Sequence, residues 1–338
     1  MQPDPEGTDP KAAPAAPPPA VFIMGPTASG KTELAVQIAE RLPCGIISVD
    51  STLVYRGLDI GSAKPDPLLL ARAPHRLIDI RDPREPYSAG QFREDALREM
   101  AQIVAAQRLP LLVGGTMLYF RALQYGLSAL PAADPAVRAR LLAQAQTLGW
   151  PALHQRLTRL DPASARRIQR TDPQRIQRAL EVIELTGQPL SQQQSGATQQ
   201  TLPYRVLKLA RAPRDRAVLH RRINQRFARM LDQGFEQEVR GLLAAEHLSP
   251  ELPALRSVGY RQMLGYLRGD YARQEMIEKG TAATRQLAKR QLTWLRADNE
   301  VHWLYDEDGE PLSRALALIE RELIGEVGQG KNIRIDWG

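Results

Sequence analysis

A glycine-rich loop that begins at residue 25 constrains the fold of this chain more than any other feature. It follows an apolar run at 21–24 and precedes a segment, 33–42, whose apolar side chains recur at helical spacing. A strand, a glycine-rich loop and a helix in this order are the context of a phosphate-binding P-loop. The loop consists of Gly25, Pro26, Thr27, Ala28, Ser29, Gly30, Lys31 and Thr32. We predict that these residues bind phosphate groups.

The chemistry of the loop supports this prediction without identifying the ligand. Backbone N–H groups of such a loop converge on phosphate oxygens, and the helix N-terminus adds about half a positive charge. Lys31 can reach a terminal phosphate, and the Thr32 hydroxyl can ligate Mg²⁺. Many P-loops bind something other than ATP. The loop therefore predicts a phosphate ligand and leaves its identity open.

The composition is that of an ordinary globular protein. Of the 338 residues, 43% are hydrophobic and 25% are charged, which supplies ample material for a core. The single cysteine, Cys44, excludes an internal disulfide and a cysteine-based zinc site. No apolar run approaches the roughly 18 residues of a membrane span. A cytoplasmic protein without a membrane segment is therefore expected.

Both ends of the chain are expected to lie outside the folded domains. The first 20 residues contain seven prolines and five alanines and lack the apolar segment of a secretory signal. We therefore predict a disordered tail over 1–20. Residues 325–338 carry no clear pattern and are predicted to be loosely ordered.

The charge of the chain favours a polyanionic partner. The net charge is +7 and the pI is near 9.7. Only seven of the 45 basic residues are lysine, so 38 are arginine, which suits bidentate phosphate contacts and stacking on bases. Alanine, proline and leucine are also abundant, as a GC-rich genome would produce, so charge favours nucleic acid only modestly. The five histidines show no metal-ligand spacing.

The order of elements predicts an α/β fold with a P-loop and a doubly wound parallel sheet. Apolar runs at 21–24, 46–49 and 109–113 each end in a polar or glycine-rich turn, and a helix with a capping box begins after Ser88. Further strands are predicted at 77–80 and 204–209. Ligands of such sheets bind beyond the carboxyl ends of the strands. We therefore expect the P-loop, Asp50 and Thr116 to face one crevice.

A helical insertion is predicted over 134–200, so that the core domain consists of 21–133 and 201–324. Asp134, Asp161 and Asp172 each precede a proline, which is the pattern of a helix N-cap followed by proline at the first helical position. The glutamine-rich stretch 191–200 is predicted to be a loop. Beyond it, long helices with arginines on their surfaces are predicted at 214–240 and 281–296.

These residues leave three classes of function open. A P-loop kinase would transfer phosphate from ATP to a small hydroxyl, with Asp50 as the base. A transferase would instead hold a diphosphate leaving group in the loop and grip a large anionic acceptor with its arginines. A non-catalytic nucleotide-binding module would make little use of Asp50 and Thr116. A GTPase is disfavoured, because the Asn-Lys-x-Asp signature of guanine binding is missing.

Several motifs in addition to the P-loop resemble those of the bacterial tRNA dimethylallyltransferase (tRNA isopentenyl-transferase) family. They are ISVDS at 47–51, VYRGLDIG at 54–61, PHRLID at 74–79, VGGTMLYF at 113–120, DPQRIQRALE at 172–181, RSVGYR at 256–261 and ATRQLAKRQ at 283–291. The resemblance extends from about residue 21 to residue 303. Thr52 stands where alanine is more usual in the family.

The resemblance implies a reaction and its partners. The exocyclic amine of the adenine 3′-adjacent to the anticodon attacks dimethylallyl diphosphate, diphosphate leaves, and Mg²⁺ assists. The partners implied are tRNA, gripped at its anticodon stem-loop by the insertion, and dimethylallyl diphosphate. We expect a monomer.

The resemblance also implies roles for individual residues. The catalytic residues implied are Asp50 as the base, Thr116 and Arg226. The residues implied to contact tRNA are Asp50, Ser51, Thr52, Leu53, Thr116, Arg138, Gln174, Arg175, Ile176, Gln177, Arg178, Arg256, Ser257, Val258, Gly259, Tyr260, Arg261, Lys289, Arg290, Gln291, Leu292, Thr293, Trp294, Leu295 and Arg296.

Overall fold

The computed structural model describes residues 16–128, 130–195, 201–245, 249 and 252–324. The chain forms two compact units, one made of Met1–Leu123 and Pro203–Gly338 and the other of Gln124–Leu202. The second unit begins ten residues before the insertion predicted at 134–200. Residues 1–15 and 325–338, which include most of the two predicted tails, lie outside the described residues.

The first unit contains a six-stranded parallel sheet, which confirms the predicted α/β class. Its strand order is β3-β2-β4-β1-β5-β6. In register, Val21 pairs with Leu111 on one side and with Leu207 on the other. The strands are β1 (Pro19–Met24), β2 (Cys44–Val49), β3 (His75–Arg76), β4 (Leu109–Gly114), β5 (Arg205–Ala212) and β6 (Val301–Tyr305).

Fourteen α-helices accompany these strands among the described residues. They are α1 (Lys31–Ala39), α2 (Pro67–Arg72), α3 (Ala89–Ala105), α4 (Met117–Tyr125), α5 (Pro135–Leu148), α6 (Trp150–Leu160), α7 (Pro162–Arg167), α8 (Pro173–Thr186), α9 (Leu190–Ser195), α10 (Arg216–Asp232), α11 (Phe235–Ala245), α12 (Tyr260–Leu267), α13 (Arg273–Arg296) and α14 (Pro311–Ile319). In the described part of the chain, none of the helices has the length and apolar character needed to cross a membrane.

The predicted helix starts are confirmed by hydrogen bonds. Ser88 and Gln91 form a reciprocal capping box at α3. Asp134 accepts from the Val137 N–H at 2.9 Å, and Asp161 and Asp172 cap α7 and α8 in the same way, each followed by a proline. These caps satisfy amide groups that lack partners within the helix.

Four expectations about local structure were wrong. Residues 77–80 are not a strand, because Leu77 and Asp79 have φ of 62° and 55°, outside the β region. The helix predicted at 214–240 is two helices, since Gly234 (φ 98°) separates α10 from α11. Part of the predicted loop 191–200 belongs to α9, and 196–200 lie outside the described residues. The predicted tail at 1–20 extends too far, because β1 begins at Pro19.

Candidate active site

The glycine-rich loop joins β1 to α1 in a tight curl. Ala28 and Gly30 have left-handed backbone conformations, with φ of 62° and 83°, and the Ser29 N–H donates to the Pro26 carbonyl at 3.3 Å. Gly25 has no room for a side chain, since a Cβ there would lie 2.5 Å from a backbone carbonyl oxygen of β5. The loop leads directly into the N-terminus of α1. Backbone amides and the helix dipole favour an anion there.

Lys31, the first residue of α1, has an unusual electrostatic environment. Its Nζ donates to the Pro26 carbonyl at 3.3 Å. Burial and the positive charge of Arg226 lower the pKa of Lys31 to about 8, while the negative charge of Asp50 acts in the opposite direction. Lys31, Arg226 and Asp50 are therefore electrostatic neighbours although they come from three distant parts of the chain. A bound anion would stabilise the protonated form of Lys31.

Asp50 directly follows β2 and is held by its own turn. Its Oδ1 accepts from the backbone N–H of Thr52 at 2.8 Å and of Leu53 at 3.4 Å. Its Oδ2 accepts no hydrogen bond from the residues described here. One carboxylate oxygen is thus fixed by the backbone, and the other is available to a substrate.

Thr116 follows β4, the neighbour of β2 in the sheet. Its Oγ1 accepts from the Ser51 N–H at 3.1 Å, and its own N–H donates to the Val49 carbonyl at 3.3 Å. Thr116 therefore supports the backbone on both sides of Asp50. Asp50 and Thr116 lie close together because β2 and β4 are adjacent parallel strands, whose carboxyl ends lie at the same edge of the sheet.

Helix α10 contributes two neighbouring rows of side chains to the site. Residues three or four apart lie on the same side of a helix, and here one row is basic and the next is apolar. The basic row, which lines a cavity with the P-loop, consists of Arg222, Arg226 and Arg229. The apolar row, which lines an adjoining cavity, consists of Ile223, Phe227 and Met230. Arg226 and Lys31 line both cavities.

This adjoining cavity, which we call the apolar cavity after that row of α10, encloses about 150 Å³. A cavity of about that size holds a benzene molecule, so a five-carbon chain fits it. Its polar lining includes Lys31, Thr32, Asp50 and Arg226. The Arg226 guanidinium donates to the Ser62 carbonyl at 3.2 Å, which orients it. The arrangement can bind a molecule with an anionic head and a short apolar tail.

Gln291 connects the P-loop to the turn after β4. Its Oε1 accepts from the Thr27 N–H at 2.9 Å, and its Nε2 donates to the Gly115 carbonyl at 2.8 Å. The side chain is buried. The resemblance implies a tRNA contact for Gln291, but the structure gives its side chain a supporting role in the site. Gln291 and Thr27 are 264 positions apart in the sequence, which explains why no sequence pattern indicated this contact.

Arg211 and Asp306 are further residues that the sequence did not single out. The Arg211 guanidinium lies against the backbone of Gly30, where an added Cβ would be 3.1 Å from its Nε. Asp306 pairs with Arg211 at 3.5 Å and accepts from Arg222 at 2.6 Å. The Asp306 carboxylate, which directly follows β6, therefore links Arg211 at the P-loop to Arg222 in the basic row of α10.

The segments of the first unit implied to contact tRNA contain exposed and buried side chains. The exposed ones belong to Ser51, Arg256, Arg261, Lys289, Arg290, Thr293, Trp294 and Arg296. The buried residues are Gly259, Tyr260, Gln291, Leu292 and Leu295. Of these, Tyr260, Leu292 and Leu295 pack in the interior, while Gly259 and Gln291 line the cavity beside the P-loop. The tRNA contacts implied for this set stay predictions.

In the second unit, two arginines implied to contact tRNA are partners of a buried carboxylate. Glu181 accepts from Arg138 at 2.8 and 3.1 Å and from Arg178 at 2.8 Å. Ile176 is fully buried, while Gln174 and Arg175 are exposed. Arg138 and Arg178 therefore stabilise this unit, whatever else they contact.

The donor set of the site fits a magnesium ion held mainly by a substrate. The Thr32 hydroxyl lines the apolar cavity next to the P-loop, and Mg²⁺ favours oxygen ligands and is commonly bound by one or two protein oxygens plus substrate phosphates. Among the described residues, no group of three or more His, Cys, Asp or Glu side chains could hold a metal ion without such a substrate.

Comparisons with known proteins agree on one family. The family model described as IPP transferase matches residues 53–298, and a model described as isopentenyl transferase matches 19–82. A tRNA dimethylallyltransferase of Thioalkalivibrio sulfidiphilus is 60% identical over 311 residues, which cover 91% of this chain and 97% of that protein. A tRNA dimethylallyltransferase 2 of Hahella chejuensis is 55% identical over 319 residues, or 90% and 96% of the two chains.

Solved structures give the same result. The tRNA isopentenylpyrophosphate transferase of Bacillus halodurans matches with a TM-score of 0.65 and 34% identity, covering 90% of this chain and 96% of that one. A eukaryotic dimethylallyltransferase acting on tRNA has a TM-score of 0.72 at 23% identity, covering 90% and 79%, which indicates a shared fold. From its sequence and its structure, the chain belongs to the tRNA dimethylallyltransferase family.

Proposed function

We propose that this protein transfers a dimethylallyl group from dimethylallyl diphosphate to the exocyclic amine of the adenine 3′-adjacent to the anticodon of tRNA. The chain is a tRNA-prenylating transferase rather than a kinase, as its relatives are. The observation that carries the choice of donor is the pair of rows on α10. A basic row beside the P-loop suits diphosphate, and an apolar row beside a cavity of about 150 Å³ suits a five-carbon chain.

The donor would bind with its diphosphate at the P-loop and its hydrocarbon along the apolar row. Backbone amides of the loop, Lys31 and Arg226 stabilise the charge that develops on the diphosphate as the allylic C–O bond breaks. The electron pair of that bond leaves with the diphosphate. When bound, Mg²⁺ at Thr32 would neutralise part of the same charge.

Asp50 would act on the acceptor. The adenine amine is a poor nucleophile, because its lone pair is delocalised into the ring. As its nitrogen forms a bond to the allylic carbon, the Oδ2 of Asp50 takes one proton from it. General-base catalysis of this kind contributes typically about 10²–10⁴-fold. The target base must first leave the stack of the anticodon loop, at a cost of a few kcal/mol.

Incubation with radiolabelled dimethylallyl diphosphate, unmodified tRNA and Mg²⁺ in the absence of ATP tests this function. We expect label in the tRNA, at one adenine per molecule. ATP turnover on a small acceptor, without label in the tRNA, would contradict the proposal. Omitting Mg²⁺ in the presence of a chelator tests the metal, and transfer should then fall sharply.

We further propose that the protein is a cytoplasmic monomer. Its tRNA partner is a cytoplasmic molecule, and one chain supplies the P-loop, Asp50 and both rows of α10. Sedimentation of the purified protein, with and without tRNA, tests the oligomeric state, and fractionation of cells tests the location.

A further inference from the structure

A second cavity, whose charged lining is mostly basic, lies between α12 and α13. It encloses about 740 Å³ and shares no lining residue with the active-site cavities. Its charged lining consists of Arg256, Arg261, Arg268, Lys279 and Asp270. Four cations and one carboxylate make this surface, which we call the basic cavity, attractive to anions.

The spacing of the cations favours a chain of phosphates over a single one. Arg261 lies in the first turn of α12, and Arg268 is its C-cap. Seven residues along a helix correspond to two turns and a rise of about 10 Å. Two side chains that start so far apart suit successive phosphates of a nucleic-acid strand better than one phosphate group.

The floor of the basic cavity is built from packed groups. The Tyr271 hydroxyl donates to the Gln262 carbonyl at 2.7 Å, and Gly265 leaves room for the Tyr271 ring, which a Cβ there would overlap. The Lys279 ammonium lies 5.3 Å from the centroid of that ring. Tyr271, which lies between α12 and α13, thus packs against both helices and fixes the segment that joins Arg268 to the helix of Lys279.

Three cations of the cavity, Arg261, Arg268 and Lys279, have charges that a ligand can reach. Arg261 and Arg268 form no ion pair within 4.0 Å with the acidic groups that the structure describes. Lys279 pairs with Glu275 at 3.3 Å, but both side chains are about half exposed, and such pairs contribute little. Arg261, Arg268 and Lys279 are all exposed, so their side chains do not serve to pack the interior.

We propose that the basic cavity binds backbone phosphates of the tRNA substrate, with Arg268 and Lys279 extending the contact surface beyond the turn at 256–261. This inference rests on the proposed function, since it takes tRNA as the polyanion. The contacts would be independent of base sequence, because phosphates position a nucleic acid without specifying it. They would act on tRNA affinity and not on the transfer step.

The test compares three single variants of the full-length protein. Arg268→Ala and Lys279→Ala each remove one cation of the basic cavity. Arg273→Ala is the matched control, because Arg273 is exposed on α13, forms no ion pair with the described residues and does not line the cavity. The dissociation constant for unmodified tRNA is measured from about 50 to 200 mM salt, and prenyl transfer is measured at saturating tRNA.

We expect Arg268→Ala and Lys279→Ala each to weaken tRNA binding about five- to tenfold near 0.1 M salt and to reduce the slope of log K against log salt by about 1. Arg273→Ala should stay within about twofold of wild type. The KM for dimethylallyl diphosphate and the kcat at saturating tRNA should be unchanged in all three, which distinguishes this surface from the active site.

Two outcomes would overturn the inference. One is that both cavity variants transfer the prenyl group and bind tRNA with the same dependence of log K on log salt as the wild type. The other is inorganic diphosphate binding that Arg268→Ala abolishes while tRNA affinity stays the same, since the cavity would then serve a small anion. Failure of wild-type protein to prenylate tRNA would instead contradict the proposed function, and the tRNA-binding measurements would still decide the role of the cavity.

Discussion

At the scale of single residues, Asp50 combines a fixed carboxylate oxygen with an available one. Asp50→Asn keeps an oxygen that can accept from Thr52 and Leu53, so the turn after β2 should survive. The amide cannot take a proton from the adenine amine, so we expect kcat to fall by about 10²–10⁴-fold. Single-turnover transfer measures this, and tRNA binding is the control. A rate within about threefold of wild type would remove Asp50 as the base.

Lys31 gives the donor site a pH dependence. Because its pKa is lowered to about 8 by burial and by Arg226, the free enzyme loses this positive charge as pH rises through 8. Diphosphate favours the protonated form of Lys31, so donor affinity should decline as pH rises above about 8. Equilibrium binding of the donor between pH 6 and 9 checks this.

Two variants sharpen the test of Lys31. Lys31→Met should bind the donor weakly at every pH, without the decline. Asp50→Asn should move the decline to lower pH, because the negative charge of Asp50 raises the pKa of Lys31. A wild-type profile in Lys31→Met would show that another group titrates.

At the scale of elements, α10 and α13 meet at a glycine. A Cβ at Gly280 would overlap the buried ring of Phe227, which lines the apolar cavity. Alanine is favoured over glycine in a helix by about 1 kcal/mol, but the steric overlap with Phe227 should cost more than this gain. We expect Gly280→Ala to destabilise the protein by about 1–3 kcal/mol and to raise the KM for the donor, because the displaced ring enters the cavity.

The control for this prediction is Gly241→Ala in α11. Gly241 is exposed and has nothing within 4 Å of an added Cβ, so this variant should be stabilised by about 0.5–1 kcal/mol. Chemical denaturation and donor kinetics on both variants make the comparison. Equal effects of the two substitutions would contradict the packing argument.

Elements whose signals are local could be predicted from the sequence, and elements that depend on distant contacts could not. The P-loop, the capping box at Ser88 and the Asp-Pro caps are set by neighbouring residues, and the structure contains each of them. For α10 the sequence predicted a helix with arginines on its surface but not the two rows, because the cavities that the rows line also require the P-loop. The link from Gln291 to Thr27 joins residues 264 positions apart, and no local pattern encodes it.

At the scale of the whole molecule, the chain leaves the sheet after α4 and returns to it at β5. The cap residues at Asp134, Asp161 and Asp172 indicated the helices of the second unit, but its start at Gln124 has no comparable signal. This unit has its own apolar core and its own buried carboxylate, Glu181. Its stability can therefore be examined separately.

Glu181 should make the second unit sensitive to acid. Hydrogen bonds from Arg138 and Arg178 oppose the effect of burial and hold the pKa of this carboxyl below its usual 4.5. A carboxyl with a lowered pKa stabilises the fold above its unfolded-state pKa, and that stabilisation is lost as pH falls through the folded-state value. Glu181→Gln should therefore destabilise the unit by about 2–3 kcal/mol near pH 7, as expected for lost hydrogen bonds to a charged group, and by progressively less below about pH 4.5.

The measurement uses Trp150, the one tryptophan within residues 124–202, in a background where the other three are phenylalanine. Its fluorescence follows unfolding of the second unit in denaturant at pH 7 and pH 4. The matched control is Glu184→Gln on the same helix, which loses pairs with the more exposed Arg140 and Arg156 and should cost about 1 kcal/mol or less. Equal losses for the two variants, or a loss for Glu181→Gln that does not shrink in acid, would contradict a stabilising role for the buried charge, because only a charge that titrates can produce that dependence.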